Sequence, residues 1–89
     1  MYKFYRKKDA RRRALRYTTK TTLAEVTELT GLPGWSIPEE EMVSPCPIRV
    51  LSANGWQDVN FGDWIVRESE NDCYPVKHEK FIKLYVEVD

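Results

Sequence analysis

The run Trp64-Ile65-Val66-Arg67 constrains the fold more than any other part of the sequence. A β-strand sends successive side chains to opposite faces. With Trp64 and Val66 on one face and Ile65 on the other, neither face can be left in water. An antiparallel sheet with one wet face would alternate apolar and polar residues instead. The run therefore calls for a sheet covered on both sides. A small, tightly curled and partly barrel-like antiparallel sheet, packed by a helix, satisfies this within an α+β fold. The 89 residues suffice for one such domain, residues 1–89, and are too few for two.

The flanking segments supply the other strands. Ile48–Leu51 and Gln57–Asn60 lie on either side of Asn54-Gly55, the strongest short hairpin signal, because both central positions of a type I′ turn need positive φ. Phe61-Gly62-Asp63 reads as a second turn leading into Trp64–Arg67, and Glu68–Asp72 as a polar turn. Cys73–Val76 reads as a short strand, and Pro75, lacking an N–H, places it at a sheet edge. Glu79–Lys83 reads as a helical turn burying Phe81 and Ile82. Leu84, Val86 and Val88 then alternate as a closing strand.

Upstream, Thr22-Leu23-Ala24-Glu25 is a capping box: the Thr22 hydroxyl can accept from the Glu25 N–H, and the Glu25 carboxylate from the Thr22 N–H. Leu23, Val26 and Leu29 follow at helical spacing, and Gly31 and Pro33 end the element. This predicts the main helix over residues 22–30. Tyr2–Tyr17 contains good helix formers, but its apolar residues do not recur every three to four positions. Ala14–Thr18 reads as a strand and residues 1–13 as an extended basic arm. Residues 32–47 read as a Pro-rich loop anchored by Trp35 and Ile37. Within it, Pro38 before Glu39, Glu40 and Glu41 suits a single helical turn, and Ser44-Pro45-Cys46-Pro47 is extended.

Net charge is zero, but charge is segregated. Residues 1–20 carry nine Lys/Arg and one acid, and the rest carries five basic and thirteen acidic groups. Arg11, Arg12, Arg13 and Arg16 are candidate phosphate contacts, since clustered cations displace counterions from nucleic acid. The competing reading is neutralisation of this segment against the acidic body of the domain. Trp35 and Trp56 are candidate binding anchors, with Trp56 directly after the hairpin turn, because Trp is enriched at binding hot spots. Glu39–Glu41, beside Trp35 and Met42, could face a basic partner.

Reactive chemistry is sparse. Cys46 and Cys73 lack C-x-x-C spacing, read as free thiols, and with the lone His78 cannot assemble four metal ligands. Asp63 reads as a turn residue and His78 as a surface or capping residue, not as half of a Cys–His pair. No phosphate-cradling Gly-rich loop, no run of ~18 apolar residues and no secretion signal are seen. The expectation is a non-enzymatic protein without cofactor or metal that does not enter membranes.

Several pieces taken together resemble a family of short, uncharacterised phage and prophage proteins. The pieces are Tyr5-Arg6-Lys7-Lys8, Ala14-Leu15-Arg16-Tyr17-Thr18, Leu29-Thr30-Gly31, Phe61-Gly62-Asp63-Trp64-Ile65, Cys73-Tyr74-Pro75 and the Phe81 to Tyr85 tail. The resemblance covers most of the chain outside residues 32–47. Three departures stand out: Asp9 and Phe61 replace Pro, and Arg11–Arg13 replace apolar strand residues. The resemblance implies a viral origin, an α+β domain and no catalytic residues. The expected function is therefore a phage accessory protein in the host cytoplasm that binds a host macromolecule, foremost a protein, for example as an inhibitor of a host system. Nucleic-acid binding through the arginines and nucleotide sequestration are the alternatives.

Overall fold

The computed structural model describes residues 3–7, 10–31, 34–37 and 48–88. The expectations for Glu39–Glu41, Met42, Pro33 and Cys46 lie outside these residues. Two antiparallel sheets and two helices make up the fold. Strands β1 (Lys3–Lys7) and β2 (Ala10–Arg16) form a hairpin, followed by helix α1 (Leu23–Thr30). Next come β3 (Trp35–Ser36), β4 (Ile48–Ser52), β5 (Gly55–Val59), β6 (Trp64–Ser69) and β7 (Asp72–Val76). Helix α2 (His78–Leu84) and β8 (Val86–Val88) close the chain. The larger sheet has the order β7-β6-β2-β1-β8 and the smaller β3-β4-β5.

The larger sheet is covered on both faces where β2, β6 and β7 meet, as Trp64–Arg67 demands. On one face Leu15, Ile65 and Cys73 pack against Val26 and Leu29 of α1 and against Ile48, Val50 and Val59 of the smaller sheet. On the other, Ala14 and Val66 pack with Phe81 and Tyr85 at α2, flanked by Trp64, Tyr74 and Val76. Each fully buried aliphatic side chain contributes about 1.5–3 kcal/mol relative to exposure. Two thin cores thus share one central sheet.

The sheets do not close. Strands β7 and β8 are the two edges of the larger sheet, so the expected barrel-like curl is replaced by layers. The single main helix is corrected too, because α1 and α2 have eight and seven residues and cover opposite faces. The basic arm is instead the β1–β2 hairpin, and β2 runs through the sheet interior between β1 and β6. Pairing with β1 along all three arginines, and with β6 from Arg13 onward, outweighs their poor strand propensity, because tertiary pairing routinely overrides such weak local preferences.

The α1 cap forms as the sequence predicts. The Glu25 N–H donates to Thr22 Oγ1 at 3.2 Å and the Thr22 N–H to Glu25 Oε1 at 2.9 Å. Leu23, however, is exposed, and the buried face consists of Val26, Leu29 and Thr30. Gly31 ends the helix at φ 78°, ψ −179°, with its N–H donating to Thr27 O. That is the glycine-only extended region with positive φ, not the left-handed helical cap. Arg67, reaching over from β6, donates from Nη1 to the Leu29 carbonyl at 3.1 Å. It supplies the cation that the last turn of α1 lacks.

The β4–β5 hairpin sits where Asn54-Gly55 predicts, with a different turn. Ser52 pairs with Gly55, so Ala53 and Asn54 form the tip. Gly55 alone of the turn has positive φ, at 109°, a conformation that glycine adopts without steric cost. Ser52 Oγ donates to Gly55 O at 2.6 Å and accepts from the Asn54 N–H and Gln57 Nε2. Pro75 lies on an edge strand, as expected. Phe81 is buried, but Ile82 is 59% exposed. Adjacent helical residues lie about 100° apart, so the pair cannot share one core-facing stripe.

Candidate functional site

The four candidate arginines do not form one surface. Because side chains alternate along β2, Arg11 and Arg13 project on the face carrying Leu15, and Arg12 and Arg16 on the face carrying Ala14. Arg12 donates from Nη2 to Glu68 Oε2 at 2.5 Å, and that bond raises the guanidinium's pKa despite partial desolvation. Arg16 donates from Nε to the Gly62 carbonyl at 3.2 Å. Arg13 stands directly across from Arg67. The cluster is thus divided between two faces, and part of its charge is met within the fold.

Of the two Trp candidates, Trp35 is structural. Its indole N–H donates to Thr27 Oγ1 at 2.8 Å, and its ring packs on the core between α1 and the smaller sheet. Trp56 differs. It lies on β5, an edge strand, opposite Leu51, and is 47% exposed. The next outward pair is Arg49 and Asp58, joined at 2.9 Å. The outer face of the smaller sheet therefore carries an apolar centre, Trp56 with Leu51, beside a charge pair.

The groups that could carry chemistry are committed elsewhere. Cys73 is a free, buried thiol whose pKa burial pushes up to about 11, although Arg67 pulls the other way. A thiol so placed is a poor nucleophile near neutrality. His78 accepts the Trp64 indole N–H on Nδ1 at 3.0 Å and stacks on the same ring. Asp63 is buried in its turn, where Oδ2 accepts the Asn60 N–H at 3.1 Å and its own N–H donates to Asn60 O. Its Oδ1 also lies 3.5 Å from Lys77 Nζ, a link to the entrance of α2 that turn chemistry alone does not suggest. Among the described residues no three His, Cys, Asp or Glu side chains converge as metal ligands. No helix among them is long and apolar enough to cross a membrane.

One concave feature was not anticipated. A hollow of about 270 Å³ lies between β7 and α2, with Tyr74, Val76, Lys77, Lys80, Leu84 and Tyr85 among its lining residues. The sequence signal for it is slight: Lys77, Lys80 and Leu84 share a helical phase, which places two cations and an apolar residue along one side of α2. Comparison of the chain with protein-family models, with curated proteins and with solved structures finds no match in any of the three.

Proposed function

We propose that the protein is a non-enzymatic binding module that docks onto a protein partner through the outer face of the smaller sheet, with Trp56 as the anchor. The observation carrying this reading is a large aromatic side chain left 47% exposed on an edge strand, beside Leu51 and framed by Arg49 and Asp58. Fully burying such a ring removes much apolar area from water, and alanine scans concentrate binding energy on such anchors, at 2 kcal/mol or more each. The family resemblance makes the partner a host protein in the cytoplasm of an infected cell, with inhibition as one outcome of docking. The divided arginines on β2 offer less to a polyanion, which favours a continuous basic strip.

The test compares wild type with Trp56→Ala in partner capture from bacterial lysate at low and high salt. Trp56→Ala should abolish the captured species while the thermal midpoint stays within about 4 °C, the change expected from a surface substitution worth less than ~0.5 kcal/mol. Capture unaffected by Trp56→Ala would refute this surface. Capture that is lost with salt, and lost in Arg11→Glu/Arg13→Glu, would shift the reading to nucleic acid.

A further inference from the structure

From the walls of the hollow between β7 and α2 we infer a second, separate site, which binds a small organic anion: a single-ring carboxylate or phosphate monoester. Its body would rest on Val76, Pro75, Leu84 and the tyrosine rings, with its charged head at Lys80 and Lys77. Four observations point the same way.

The first is charge. Lys80 forms no hydrogen bond or ion pair among the described residues, and Lys77 stands 3.5 Å from Asp63. Two lysines against one neighbouring carboxylate leave a positive surplus at this end, which suits an anionic head, whether a carboxylate with one charge or a phosphate monoester with nearly two. The second is the tyrosines. Tyr74 donates to Glu68 Oε1 at 3.0 Å and lies 3.3 Å from the Tyr85 hydroxyl. With Glu68 also receiving Arg12, the hydroxyls and the carboxylate satisfy one another. The tyrosines are therefore held in place as wall and have no need of a ligand's polar atoms.

The third is shape. Phe81 stacks on Tyr85 at 4.5 Å and on Trp64 at 3.9 Å, both nearly parallel. The ring column fixes the helix that forms one wall, so the hollow is pre-formed, as ligand sites usually are. The fourth is size. About 270 Å³ sits just below the ~300–1,000 Å³ of drug-sized pockets. That accommodates one ring with its head group and excludes a folded peptide segment.

The test is a ¹H–¹⁵N NMR titration of the full chain with phenylacetate, phenyl phosphate, adenosine monophosphate and the uncharged benzyl alcohol. Phenylacetate and phenyl phosphate should shift the amides of residues 74–85 saturably, and benzyl alcohol should bind at least about tenfold more weakly, a factor of ten being 1.4 kcal/mol. Lys80→Ala should weaken the anions by about the same factor, and Leu84→Trp, which fills the hollow at a partly exposed position, should abolish binding. Spectra of both variants confirm folding. Adenosine monophosphate, larger than one ring and its head group, should bind more weakly than phenyl phosphate; tighter binding would overturn the size argument. Shifts that map to β2, or affinities unchanged in Lys80→Ala and Leu84→Trp, would overturn the site. Because Trp56 is absent from the hollow's lining, this failure would leave the docking surface untouched, and the reverse also holds.

Discussion

Phe81 is the residue on which one whole layer depends, and replacing it with Ala gives the sharpest test of the fold. The ring is 2% exposed and lies between Trp64 and Tyr85 in a parallel column. Truncating a buried Phe to Ala typically costs about 3–5 kcal/mol, through lost transfer energy plus the cavity left behind. The upper part of that range fits this site, because two aromatic contacts vanish together and each is worth about 0.5–1.5 kcal/mol beyond area. At about 0.05–0.15 kcal/mol per residue, a domain of this length holds only about 4–13 kcal/mol in total. Phe81→Ala should therefore remove a third or more of the stability and lower the thermal midpoint by at least about 12 °C, at roughly 4–8 °C per kcal/mol. Urea unfolding followed by tryptophan fluorescence and by far-ultraviolet circular dichroism measures this directly. The control is Ile82→Ala, one position along and 59% exposed, which should stay within about 0.5 kcal/mol of wild type. Equal losses at the two positions, or a loss below about 1 kcal/mol at Phe81, would refute the phase of α2 and the second core with it.

Two further substitutions probe the other face. Thr22→Ala removes the hydroxyl that accepts the Glu25 N–H and should cost about 1 kcal/mol by urea unfolding, with Thr22→Gly costing less. Cys73 carries a pH signature. Its folded pKa of about 11 lies above the ordinary 9.0, so the unfolded chain gives up the proton first. Stability from this group is complete below about pH 9 and falls as pH rises toward 11, by on the order of 3 kcal/mol. Cys73→Ala should be less stable at neutral pH but show a shallower decline over that interval, and a parallel decline would refute the assignment.

How much was legible depended on the range of the interactions involved. The α1 cap was readable because Thr22 and Glu25 are three residues apart and the motif is complete within one turn. The two dry faces were readable because adjacent Trp64, Ile65 and Val66 must project oppositely in any strand. Pro75 declared an edge through a missing donor. The errors came where the deciding partner is distant. Arg11–Arg13 looked unsuited to a sheet interior until Glu68 on β6 accounted for Arg12. Trp35 looked like a binding anchor because Thr27, which takes its indole N–H, lies on another element. Ile82 was misplaced for a local reason: the Phe81–Tyr85 spacing of four already fixed the helix phase. The hollow had only the slight handle of Lys77, Lys80 and Leu84, since the way α2 folds back beside β7 is set by the packing of Phe81 and Tyr85 on Ala14 and Val66.

A central strand covered on both sides changes what guards strand alignment. In a sheet with one wet face, sliding a strand by one position throws its apolar set into solvent, and that penalty fixes the pairing. Here a one-residue slide of β2 would only trade Ala14 for Leu15 between two oily compartments, and hydrophobicity alone would scarcely object. The guard must be steric and polar: a methyl beneath the aromatic column where a leucine would collide, and the reciprocal bonds of Tyr17 N–H to Asp63 O at 2.8 Å and Gly62 N–H to Tyr17 O at 2.7 Å. Those two bonds pin the end of β2 to the turn before β6, so the central strand keeps its place through a clasp at its terminus and not through the oil–water contrast that aligns most sheets.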